Sequence, residues 1–231
     1  MATLRLFLPF CCSLHLLAQV PYDQIPATYR EEVREVVAKA DFAFQTRTPP
    51  KRVRLATMEK LFDHPRLGAA MWRHCQFVPG FYATIHDENT WSIDDTRGLR
   101  GKLRLLLRQP GLRLYLVEGR ADAGRLKSIS PAVGARMVTI YRYWDGPAGF
   151  ESHLQTWTKL DSALLGFFSQ PFRGYIRGRQ DEFIAYINGN VASFGESAEL
   201  DPQEFLGPLK READPVALAN FNALFGTVGR K

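Results

Sequence analysis

Cysteine is nearly absent from the main body of this 231-residue chain. Of its three cysteines, Cys11 and Cys12 fall within the first eighteen residues, and Cys75 stands alone in the remainder. That excludes an internal disulfide framework for the remainder. Cys75 reads as a small buried hydrophobe, and its Trp72-Arg73-His74-Cys75 context offers no metal-ligand spacing. Long apolar runs are also scarce. The apolar stretch of residues 1–18 is interrupted by Pro9 and is too short for a membrane-spanning helix. The chain has no Gly-x-Ser-x-Gly, no His-Glu-x-x-His, no phosphate-cradling glycine loop and no paired cysteine site. No metal, no cofactor and no internal repeat is therefore expected.

What is present begins with a leader. Residues 1–18 carry one basic residue, Arg5, then the apolar run, then Ala18 before the polar Gln19. This is the layout of a signal peptide, so the mature protein is expected to be secreted or periplasmic. Residues 19–231 are long enough for one domain with its own core. The net charge of +6 comes from scattered arginines and lysines rather than from blocks. Arg100, Lys102, Arg104 and Arg108 alternate with leucines, as on the wet face of a strand. Such a balance gives a basic soluble surface or attraction to an anionic membrane surface. Nucleic acid is disfavoured as a partner, because no recognisable module accompanies the charge.

Helical periodicity comes first along the chain. A helix is expected over 28–40, opened by a capping box in which Thr28 precedes Glu31 by three residues. A short strand over 42–46 leads to Thr48-Pro49-Pro50, and helices are expected over 51–62 and 66–77, parted by Asp63-His64-Pro65. Strands then dominate, over 81–86, 91–93, 99–107 and 112–117. In the third of these, Leu99, Gly101, Leu103, Leu105 and Leu107 share one face. Pro110-Gly111 supplies the turn before Leu112, Leu114 and Leu116. Such alternation describes an antiparallel sheet wet on one side only. After residue 194 a polar stretch precedes a short helical turn at Asp201-Pro202. A last helix is capped by Asp214, begun by Pro215 and ended by Gly226. This tail would pack outside the domain or cover a pocket mouth.

The strongest pattern lies over 137–194. Two β-branched and aromatic arms flank Asp145-Gly146-Pro147-Ala148-Gly149 and read as a hairpin. A long helix follows, with Phe172, Ile176, Gln180, Phe183, Ile187, Val191 and Phe194 as its inward stripe. Gln180 is the polar member of that stripe. Within the helix, Gly174 and Gly178 lie on the back, where another helix would approach closely or the pair would simply be exposed.

Together with Thr48-Pro49-Pro50, Asp63-His64-Pro65-Arg66-Leu67 and Trp72, this order resembles the START-like (SRPBCC, helix-grip) ligand-binding superfamily over about residues 41–194. The resemblance implies an α+β fold in which a curved antiparallel β-sheet wraps around a long C-terminal helix. Residues 28–40 and 195–231 would be additions to that core. It also implies a cavity between sheet and helix for a lipid or other hydrophobic small molecule. Fold alone does not fix function.

Leu103, Leu105, Leu114, Tyr141, Tyr143, Gln180, Phe183 and Ile187 are the residues expected to line such a site. The tyrosines and Gln180 would orient a ligand headgroup or serve packing and hydrogen bonds to the sheet. Arg142 and Arg179 would hold an anionic head or remain solvated. One rival reading is an enzyme of the polyketide-cyclase or dehydratase kind. It needs two of His86, His153, Asp94, Asp95 and Tyr141 to converge. The other rival is an envelope interaction protein with a filled core.

Overall fold

The computed structural model describes residues 20–96, 98–121, 133–161 and 173–226, and of residues 99, 121, 133 and 173–180 it describes the backbone alone. Residues 1–18, the expected leader, and Phe172 lie outside the described residues. After a 3-10 turn at Tyr22–Gln24 come α1 (Ala27–Ala38), β1 (Phe42–Arg47), α2 (Leu55–Phe62) and α3 (Pro65–His74). Then follow β2 (Tyr82–Asp87), β3 (Thr90–Asp94), β4 (Leu99–Gln109), β5 (Leu112–Ala121), β6 (Val133–Gly146) and β7 (Gly149–Leu160). The helices α4 (Arg173–Leu200), α5 (Pro202–Arg211) and α6 (Pro215–Phe225) complete the described chain. The fold is α+β. Its seven strands form one curved antiparallel sheet in the order β1-β7-β6-β5-β4-β3-β2.

Directly opposed residues in an antiparallel ladder share a face, so the register sorts the side chains. The inner face carries Phe44 of β1, Leu154 and Thr156 of β7, Met137, Thr139 and Tyr141 of β6, Tyr115 and Val117 of β5, and Leu103 and Leu105 of β4. It packs against α2, α3 and α4 through Met58, Leu61, Met71, Trp72, Ile184 and Phe194. The outer face carries Leu114, Leu116, Val138 and Ile140, and these pack against Val33 and Val36 of α1 and against Val20 and Ile25.

Several expectations change here. The sheet is not wet on one side, because α1 and the segment before it cover the leucines of β5. Leu105 and Leu107 do not share a face, because a bulge between them turns Leu107 outward, opposite Leu114. The capping box does not form. Pro26 is the N-cap of α1, and Thr28 lies inside the first turn. The helix expected from residue 51 starts only at Leu55, because Lys51 exchanges two backbone hydrogen bonds with Phe150 and extends the sheet.

In place of a local cap, α2 receives Glu199 from α4. Its carboxylate accepts from Arg54 N at 3.1 Å, from Arg54 Nε at 2.8 Å and from the Thr57 hydroxyl. An anion here satisfies free N–H groups and complements the helix dipole. α4 approaches α2 closely at Gly195, where a Cβ would lie 2.5 Å from the Met58 sulfur. At the β4–β5 turn, Gly111 adopts φ +71° as its Pro-Gly context requires, and its carbonyl accepts from Tyr143 N. The tail packs on α3 through Phe205, Leu209, Phe221 and Phe225. Asp214 caps α6 by accepting from Val216 N and Ala217 N, each at 3.1 Å.

Candidate functional site

The inner face contains an unusual number of hydroxyls for a protein interior. On β6, every second residue points inward, giving Thr139, Tyr141 and Tyr143 in succession. β7 answers with Thr156 directly opposite Thr139 and Ser152 directly opposite Tyr143. Thr156, Tyr141, Tyr143 and Ser152 are all buried. Asn188 joins them from α4 and is 2% exposed.

One end of this set is internally satisfied. Thr48, in the bend after β1, accepts from Ser152 N at 3.1 Å and shares a 2.6 Å hydrogen bond with the Ser152 hydroxyl. Ser152 Oγ also lies 3.2 Å from Asn188 Oδ1, so sheet, bend and helix are tied by one polar chain. Other polar atoms of the set are not satisfied. Thr139 Oγ1, Thr156 Oγ1, Tyr143 Oη and Asn188 Nδ2 are buried without a hydrogen-bond partner. Tyr141 Oη lacks a bond of normal geometry, although Ser152 is close enough to interact with it. Buried polar groups of this kind are ordinarily paired. Burial pushes the phenols of Tyr115, Tyr141 and Tyr143 well above the usual tyrosine range. All three are therefore neutral donors at neutral pH.

Apolar side chains continue the face beyond the hydroxyls. Leu103, Val117 and Met137 occupy one opposed row and stay only half-buried. At the turn end lies Arg113, 3% exposed. Its Nη1 donates to the carbonyls of Gln109 and Leu112, and its Nη2 reaches Asp63 at 3.4 Å. This guanidinium ties the β4–β5 turn to the end of α2.

The residues expected from the sequence separate into groups. Leu103, Leu105, Tyr141 and Tyr143 share the inner face. Leu114 does not. It lies on the outer face under α1 with no exposure, because residues that alternate along β5 must point to opposite sides. The side chain of Gln180 lies outside the described residues. Phe183 and Ile187 are half-buried, and only Ile187 packs on the core. Phe194 is buried as expected, but the rest of the buried stripe of α4 runs through Ile184, Asn188, Ala192, Gly195 and Ala198. Asn188 is thus a polar residue at the helix–sheet contact, one position from the expected stripe. Its spacing of four from Ile184 and from Ala192 was the available signal.

Arg142, a candidate for an anionic head, lies on the outer face opposite Leu112. The side chain of Arg179 is not described. The acid–base set of the enzyme reading does not assemble among the described residues. His86 bonds Ser92 at 2.7 Å on an exposed edge, Asp94 pairs with Arg100 at 3.1 Å, and His153 sits on the outer face. Tyr141 is on the inner one. A surface cleft of about 770 Å³, lined by Tyr82, Ser92, Arg100, Lys102 and Arg120 among others, is separate from the hydroxyl set. Its acidic lining residues Asp94, Glu118 and Asp161 are all ion-paired with nearby arginines.

No family model matches the sequence, and no curated protein matches it. Solved structures that match include two uncharacterised bacterial proteins. A conserved protein from Geobacillus kaustophilus aligns with a TM-score of 0.42 and 11% identity, over 64% of this chain and 93% of its own. A hypothetical protein from Helicobacter pylori aligns with a TM-score of 0.44 and 9% identity, over 84% of this chain and 98% of its own.

Proposed function

We propose that this chain binds a hydrophobic or amphiphilic small molecule, such as a lipid, between the inner sheet face and α4, in the helix-grip manner of START-like proteins. One observation carries the reading. Half-buried apolar residues adjoin buried hydroxyls and a side-chain amide that find no partner within the protein. A filled structural core would be expected to replace such groups with apolar ones, since burying them unpaired costs about 1–3 kcal/mol each. A ligand with one polar end and an apolar body would satisfy both parts of the face. The leader-like pattern of residues 1–18 supports action outside the cytoplasm.

The experiment is organic extraction and native mass spectrometry of the purified protein, with uptake of the neutral fluorophore Nile red as a second readout. A co-purified apolar molecule, or saturable uptake, is the expected result. Absence of both would overturn the reading.

A further inference from the structure

Resting on that binding reading, we infer that the polar end of the bound molecule is uncharged, a hydroxyl or carbonyl group, and that it points inward toward Asn188, Tyr141 and the Thr139–Thr156 pair. The inference comes from what the site offers and from what it withholds.

It offers hydrogen bonds in both directions. Asn188 Oδ1 is engaged by Ser152, which leaves both hydrogens of Nδ2 as donors. The hydroxyls of Thr139 and Thr156 stand directly opposite each other and can each donate or accept. Tyr141 is a diagonal neighbour of Ser152 across the same strand pair, with its hydroxyl on the same face. An alcohol or carbonyl oxygen could accept from the amide, and an alcohol could also donate to a threonine.

Among the described residues, it withholds an unpaired counter-charge. The buried cation that those residues place on this face is Arg113, opposite Tyr141; its charge is already paired with Asp63 and both Nη atoms are engaged, which leaves only its buried Nε without a partner. Its ring neighbour is Tyr143, with the guanidinium 5.8 Å from the ring centroid. Arg142, next to Tyr141 in sequence, points to the other side of the sheet. A carboxylate or phosphate placed beside Asn188 would lose its hydration with only neutral donors in exchange. Desolvating an ion without a paired charge is far more costly than desolvating a neutral polar group.

The test uses the full chain and three competitors of equal carbon number, decanol, decanoate and decane, displacing Nile red at neutral pH. Decanol is expected to compete about tenfold better than decanoate and than decane, as one or two buried hydrogen bonds would provide. Acidification should narrow the gap for decanoate, since its protonated form is neutral. Asn188→Leu and Tyr141→Phe should each reduce the decanol-over-decane ratio about fivefold while leaving decane unchanged. Tyr141→Phe keeps the ring and its packing on Phe62, and circular dichroism checks that each variant folds.

Decanoate competing as well as decanol at neutral pH would overturn the inference and leave apolar binding intact. So would a decanol-over-decane ratio that neither variant moves. Failure of Nile red and all three competitors to bind would overturn the binding reading and this inference with it.

Discussion

The two faces of the sheet are built from the same strands by opposite rules. Along β6, Val138 and Ile140 point outward and have no exposure at all, under the equally buried Val33 and Val36 of α1. The residues between and beside them, Thr139 and Tyr141, point inward and carry hydroxyls without regular partners. Beneath α1 the outer face is a closed leucine and valine layer whose worth is burial. Its polar exceptions among the described residues include Gln155, opposite Ile140, and the neighbouring pair Arg142 and His153, beyond the layer toward the β6–β7 turn. The inner face gives up part of that burial to keep polar groups in place. Along β6, the outward residues should therefore serve chiefly stability, and the inward ones selectivity.

The largest effect should follow from opening the outer layer. Ile140→Ala removes a side chain with no exposure from the middle strand pairs, and losses of about 2–5 kcal/mol are usual for such cavities. Urea denaturation should show that loss, while binding of Nile red to the folded fraction stays unchanged. A loss well under 1 kcal/mol, or a selective loss of binding, would break the division between the faces.

Much of this division was written in the alternation of β5 and β6. Leu112, Leu114 and Leu116 against Arg113, Tyr115 and Val117 already separated two faces, as did Val138 and Ile140 against Thr139 and Tyr141. What local pattern did not contain was the cover. Period-2 alternation reports which residues share a side, but not that α1 would return to cover the leucines, so it does not distinguish an inner from an outer position for Leu114. The bulge after Leu105 is a property of pairing and left no mark in a run of three leucines. The helix stripe held only in part. Phe194 is buried and Ile187 packs on the core, but Phe183 does not. Asn188, Gly195 and Ala198 are less apolar, yet close approach to Met58 requires the small residues, and the hydroxyl set engages the polar one.

A smaller effect concerns the outer face's exception. His153 is 4% exposed, and its imidazole is held below the usual histidine range, first by burial and then by the positive charges of Arg47 and Arg142. A depressed folded-state value means the neutral form is favoured in the native protein. Its contribution to stability is complete above the unfolded value near 6.5 and is lost as pH falls through the lower folded value. The thermal midpoint of the wild type should therefore drop as pH falls from about 6.5 toward the lower folded value and level off beneath it, and His153→Gln should flatten the drop. Equal slopes in the two proteins would show that the ring is already paired and that the outer face is less dry than its packing indicates.

The smallest effect is the most discriminating. Thr156 is 1% exposed, and its hydroxyl meets no partner although Thr139 stands opposite. Thr156→Val replaces that hydroxyl with a methyl group of similar size. Were the hydroxyl part of a completed internal network, its removal would cost about 1 kcal/mol or more. Unpaired, it carries a desolvation penalty that the substitution relieves, so the variant should be unchanged or stabilised by up to about 1 kcal/mol. The same variant should bind decanol less well than the wild type and decane as well or better. Together, undiminished stability and weakened binding of the alcohol would show that a side chain is kept on the inner face at the expense of the core, which is what separates a binding face from a packed one. A destabilised variant with unchanged binding would instead make the inner hydroxyls structural, and the two faces would then differ in composition but not in purpose.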